Sequence, residues 1–195
     1  LMRQARIGIF LIFLLCLNLV QSNFLSFLQA SDSLKDAFQG KFKIGTSVSP
    51  NELSYGTDFI KKHFNSITPE NELKPDSILD QTGSQQSGNN VNPKVSLRSG
   101  TQTTLRFCEQ NKIPLRGHTF VWHAQTPEWF FKENFQQSGN FVSKDIMNQR
   151  LENFIKNTFE LLKKDYPQLE VYAYDYQVKN NKDRDRKSGS AGMPR

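Results

Sequence analysis

Apolar and polar residues alternate over residues 41–48 (KFKIGTSV), a stretch rich in β-formers that Ser49-Pro50-Asn51 brings to a stop. The pattern predicts a strand followed by a loop. Tyr55, Phe59, Ile60 and His63 then fall at helical spacing. Residues 64–68 (FNSIT) and 113–122 (IPLRGHTFVW) return to strand-forming types and predict two buried strands. Between Met147 and Leu162 the apolar residues recur mostly at steps of three and four, the stripe of an amphipathic helix. Ser143 suits its N-cap, Asp145 its positive start and Lys163 with Lys164 its negative end, and Pro167 prevents continuation. Residues 170–174 (EVYAY) read as a fourth strand. Strands that alternate with helices predict an α/β fold built on a parallel sheet.

Two segments carry too few large apolar residues to enter this pattern. Residues 81–104 are crowded with Ser, Gly, Asn and Gln and are expected to form a long surface loop before a helix at about 101–111. The last segment, KNNKDRDRKSGSAGMPR, has Met193 as its one large apolar side chain and is expected to be a disordered basic tail over 179–195.

At the other end, Arg3 and Arg6 precede an apolar run over 7–20, and polar residues follow. This is the layout of a signal peptide, too short for the roughly 20 residues of a membrane-spanning helix. Cleavage after Ser22 or Ala30 is expected, which assigns 1–30 to the leader, leaves no membrane anchor and predicts a secreted, extracellular protein. Cys16 leaves with the leader, so Cys108 has no intramolecular disulfide partner and reads as a small buried hydrophobe beside Leu105 and Phe107. The net charge of +6 comes largely from Lys179, Lys182, Arg184, Arg186, Lys187 and Arg195, against Asp183 and Asp185 in the same tail. A charge so confined, and interleaved with acids, argues against a nucleic-acid partner.

The chemistry concentrates in two motifs. Pro69-Glu70-Asn71-Glu72-Leu73-Lys74-Pro75 sits at the end of a predicted strand, where ligands bind in parallel α/β folds. The same residues also suit a plain helical turn, capped by Thr68 with Pro69 in first position and Glu70 paired to Lys74 four residues on. Arg116-Gly117-His118-Thr119-Phe120-Val121-Trp122-His123, with Gln125 just beyond, ends the third predicted strand. His118 and His123 are five apart on what reads as extended chain and face opposite ways, which argues against a metal site. Packed core residues are another reading. A sugar site fits better, because a pyranose offers an apolar face to an indole and a rim of hydroxyls to paired donors and acceptors.

GTSVSP, FNSITPENELKPD and LRGHTFVWHAQTPEWF resemble the first three strand ends of glycoside hydrolase family 10, the endo-β-1,4-xylanases, with likeness from Phe38 to Asp175. The resemblance implies a (β/α)8 barrel, here its first four β/α units over 31–178, acting on xylan or xylo-oligosaccharides with retention and without cofactor. Carried over by position, it implies that Glu70, Asn71 and Lys74 hold xylose hydroxyls, that His118 and Gln125 bond nearby sugars, that Trp122 forms an apolar wall, and that His123 steadies the site from behind.

A retaining glycosidase needs two carboxyl groups about 5 to 5.5 Å apart. The family's fourth strand reads approximately Tyr-Ala-Trp-Asp-Val-Val-Asn-Glu, its last residue being the acid and base. Here Tyr172-Ala173-Tyr174-Asp175 resembles the start, and Lys179 stands at the position of the Glu. No Glu follows Glu170, and the strand that carries the family's nucleophile lies beyond these residues. The sequence therefore offers no catalytic carboxylate. It is expected to be an inactive fragment of such an enzyme, with a noncatalytic oligosaccharide-binding remnant as the alternative.

Overall fold

The computed structural model describes residues 32–176. The expected leader, the basic tail and Lys179 lie outside the described residues.

The chain begins with α1 (Leu34–Ala37), β1 (Gly45–Val48), α2 (Glu52–Tyr55), α3 (Thr57–His63) and β2 (Ser66–Pro69). An excursion follows through α4 (Pro75–Ile78), β3 (Leu79–Asp80), α5 (Gln81–Gln86) and β4 (Lys94–Val95) before α6 (Ser99–Gln110) leads to β5 (Leu115–Gly117). Two 3-10 turns (Glu128–Phe131 and Glu133–Phe135), α7 (Lys144–Asp165) and β6 (Val171–Tyr174) complete it. Strands β1, β2, β5 and β6 lie side by side in that order, every neighbouring pair parallel. A parallel strand can be reached only by a crossover, and the intervening helices supply it.

One face of this sheet is apolar and packs on the helices, with Val48, Ile67 and Leu115 buried against Leu73, Leu105, Cys108 and Phe154. The opposite face is polar. Ser66, Thr68, Arg116 and Tyr172 line a cavity of about 440 Å³ there, and the Ser66 and Tyr172 hydroxyls meet at 2.7 Å across β5.

Helix α7 follows its pattern closely. The Ser143 hydroxyl caps it by accepting from the Ile146 amide at 3.3 Å. Its deepest line, however, includes Arg150 with Phe154, Thr158 and Leu162. Arg150 is fully buried, donates from Nε and Nη1 to the carbonyls of Asn90, Phe130 and Lys132, donates from Nη2 to Asn90 Oδ1, and rests on the Phe135 ring. Burial lowers its pKa to about 10, so it stays charged at neutral pH.

Three expectations about local structure are corrected. Residues 41–48 form a strand only from Gly45, and 113–122 only over Leu115–Gly117, because beyond Gly117 the chain leaves the sheet. Residues 81–104 are not a loop: α5, β4 and the start of α6 occupy them. Polar side chains hold much of this segment, and Val95 and Leu97 pack against the core. Asp80 caps α5 through the Gly83 amide, the Ser84 hydroxyl bonds the Asp80 carbonyl and the Lys94 amide, and Asn153 and Asn157 of α7 donate to the carbonyls of Val91 and Pro93.

Candidate functional site

Pro69 ends β2, and the chain turns at once through residues 70–74. The turn is closed by the Lys74 amide on the Asn71 carbonyl at 3.1 Å. Two hydroxyls from distant elements pin it, Thr101 on the Glu72 carbonyl at 2.9 Å and Tyr174 on the Leu73 carbonyl at 3.0 Å. Leu73 is buried. The helical turn capped by Thr68 is therefore not formed, and Pro75, at the first position of α4, is the proline that opens a helix. Nor do Glu70 and Lys74 pair. Glu70 stands exposed at the strand end, while Lys74 turns inward and is 7% exposed.

The Lys74 ammonium donates to Asn71 Oδ1 at 2.9 Å and to Gln125 Oε1 at 2.6 Å, and Gln125 Nε2 donates to Asn71 Oδ1 at 3.1 Å. These bonds close a triangle in which each side chain fixes the other two. An ammonium carries three N–H groups and each amide two, so Lys74, Asn71 and Gln125 all keep a donor beyond the triangle. The Trp122 indole lies over this cluster, 4.8 Å from Lys74 Nζ to the ring centre.

Gln125 reaches the triangle because its φ of 52° places it in the left-handed region, uncommon for a residue with a Cβ. Its carbonyl accepts from the Asp76 amide at 3.0 Å. Local strain held by surrounding bonds is characteristic of functional positions.

Asp175 organises the other side. Its carboxylate accepts from Arg116 Nη2 at 2.9 Å and from His118 Nδ1 at 3.0 Å. Its carbonyl accepts from the Phe120 amide and the Thr119 hydroxyl, both at 2.9 Å. A carboxylate can only accept, so Nδ1 carries the proton, and in the neutral ring Nε2 is an acceptor. His118 lines the polar cavity and stands 6.1 Å from Trp122, ring centre to ring centre.

Of the predicted residues, the structure brings Asn71, Lys74, Gln125 and Trp122 into one cluster, with His118 beside it through Trp122. Glu70 projects from the strand end, with no side-chain partner among the described residues. His123 is exposed and meets Trp122 edge-on at 5.0 Å, so it flanks the indole at the surface and does not stand behind it. No group of three His, Cys, Asp or Glu side chains among the described residues is placed to hold a metal. Sequence reasoning missed the roles of Arg116, Asp175, Tyr174 and Thr101. Arg116, Tyr174 and Asp175 lie in the motifs quoted above and Thr101 in none, but the partners lie 29 to 101 residues away, and no local spacing encodes that.

Comparison with known proteins places the chain in a family. Glycosyl hydrolase family 10 matches residues 33–189, a span that includes Lys179. A bifunctional endo-1,4-beta-xylanase XylA of Ruminococcus flavefaciens is 70% identical over 146 residues, covering 75% of this chain and 15% of that protein. Endo-1,4-beta-xylanase Y of Acetivibrio thermocellus is 45% identical over 170 residues, covering 85% of this chain and 15% of the relative. The chain thus spans about 15% of the length of these curated relatives. Among solved structures, the CBM22-1 and GH10 modules of a Clostridium thermocellum endo-1,4-beta-D-xylanase 10B, complexed with xylohexaose, superpose with a TM-score of 0.71 at 45% identity, over 80% of this chain and 30% of that one. The four parallel strands are part of a (β/α)8 barrel, and the chain belongs to glycosyl hydrolase family 10.

Proposed function

We propose that this chain supplies the sugar-gripping side of an endo-1,4-β-xylanase, a retaining enzyme that cuts internal xylosidic bonds of xylan. The observation that carries this is the Asn71–Lys74–Gln125 triangle beneath Trp122. It offers spare donors under an apolar ring, and Glu70 with His118 Nε2 adds acceptors nearby. Xylose hydroxyls, each both donor and acceptor, on a ring with apolar faces, match that mixture. Xylanases among the relatives, and the xylohexaose bound in one structural neighbour, support the same substrate class.

Within this polypeptide Lys179 stands at the position where the resemblance places the family's acid and base. The 195-residue polypeptide is therefore expected to bind xylo-oligosaccharide without cleaving it, since a lysine ammonium at that position cannot act as the carboxyl acid and base. Titration calorimetry with xylohexaose tests the binding, and the absence of heat with folded protein would overturn it. Reducing-sugar release from xylan by the same protein would overturn the expected inactivity. The basic and apolar leader layout supports export to where xylan occurs, which N-terminal sequencing of protein recovered from the medium would check.

A further inference from the structure

Tyr174 and Asp175 are neighbours at the end of β6, yet they serve opposite halves of the site. The Tyr174 ring is stacked on Phe120 at 3.7 Å and 15°, meets Phe159 edge-on at 5.9 Å, and lies so close to Gly117 that a Cβ there would enter the ring. Held on three sides, its hydroxyl points at the Leu73 carbonyl, one residue before Lys74. Burial, helped by the adjacent Asp175 charge, pushes the phenol far above its ordinary value, which keeps it a donor. Asp175 turns the other way and holds Arg116 and His118. The register shift between Leu115 and Arg116 sets Gly117 opposite Tyr174, and the Asp175 amide bonds the Gly117 carbonyl at 2.9 Å.

We infer that the end of β6 is the positioning element of the sugar grip: Tyr174 fixes the turn that carries Asn71 and Lys74, and Asp175 fixes the tautomer of His118. Neither residue need touch the sugar. Tyr174 acts through the Leu73 carbonyl on the main chain that aims Lys74. Asp175 acts through Nδ1, so that Nε2 presents a lone pair to a sugar hydroxyl. The two halves of the grip, far apart in sequence, thereby share one strand as their reference. This rests on the sugar-binding reading above, but part of its test needs no sugar.

The experiment uses the full chain without ligand, in alkaline buffer where free imidazole is neutral, and reads the ring nitrogens of His118 by long-range proton–nitrogen NMR. The unaltered protein and Y174F are expected to show one tautomer, protonated on Nδ1. D175N is expected to lose that preference, because an amide can donate to Nδ1 as readily as it accepts. Should D175N fail to fold, D175E retains an acceptor-only carboxylate and is expected to keep the tautomer. Affinity for xylohexaose is then expected to fall about tenfold in both Y174F and D175N, in line with one lost bond each. An unchanged His118 tautomer in D175N, or Y174F binding as tightly as the unaltered chain, would overturn the inference. Failure of the unaltered chain to bind xylohexaose would instead overturn the sugar reading, with the tautomer result standing by itself.

Discussion

The Lys74 ammonium lies 4.8 Å from the centre of the Trp122 indole and has amide oxygens, not a carboxylate, as its hydrogen-bond partners. A buried cation held by neutral acceptors and a ring face depends on every one of them, since burial of a charge is costly without paired groups. Lys74→Met would leave Asn71 Oδ1 with one donor and Gln125 Oε1 with none. We expect it to abolish measurable xylohexaose binding and to lower stability by about 2 kcal/mol, read by calorimetry and urea unfolding. Trp122→Ala is expected to weaken binding at least about tenfold with a smaller effect on stability, because the ring is half-buried and forms the wall of the cluster.

Arg150 gives a second expectation. Arg150→Met fills much of the same volume but leaves the carbonyls of Asn90 and Phe130 without their donor and that of Lys132 with the Phe135 amide alone. Each buried acceptor so orphaned costs about 1–3 kcal/mol, and we expect a loss of about 3 kcal/mol in total after partial relaxation. Arg150→Lys should fall between the two, because an ammonium cannot copy the planar fork. Urea midpoints would measure both, and a Met variant as stable as the parent would dismiss the clasp.

How much of this was legible beforehand differs from element to element. Helix α7 was readable because Ser143, the apolar stripe and Pro167 are all local signals. Its buried Arg150 was not, since its partners sit up to 60 residues away. The excursion over 81–104 read as loop because it has few large apolar side chains beyond Val91, Val95 and Leu97, while Ser84, Asp80 and Asn157 hold it by hydrogen bonds. The two motifs of the site were plain in the sequence. Their joining was hidden, because Lys74 meets Gln125 across 51 residues and chooses it over Glu70, four residues before.

Cys108 carries an alkaline signature. Burial pushes its thiol up to about 12 from 9.0. Between those values the unfolded chain releases a proton that the native state retains, so stability falls as pH rises through that window and is fully present below it. Tyr174, shifted in the same direction, adds to the trend from higher pH. Urea unfolding across this range should show the decline, with a shallower slope in Cys108→Ala. A thiol reagent at mildly alkaline pH should label Cys108 only after unfolding, because the thiolate is the reactive form.

Gly117→Ala probes the tightest glycine contact among the described residues. A Cβ at this position enters the Tyr174 ring, and the ring, pressed between Phe120 and Phe159, has nowhere simple to go. Overpacking of this kind costs about 1–3 kcal/mol. We expect the upper end, with a lowered urea midpoint, and a near-ultraviolet circular dichroism change from the displaced tyrosine.

The clasp formed by α7 has a consequence for how this protein can vary. Arg150, Asn153 and Asn157 grip the main-chain carbonyls of Asn90, Val91, Pro93, Phe130 and Lys132. Every residue type presents the same carbonyl. Substitutions at Val91, Phe130 or Lys132 would leave these acceptors in place wherever the path of the chain is kept, whereas changing the length of the segment would move all of them at once. Drift in spelling is tolerated by such a contact, and insertion or deletion is not.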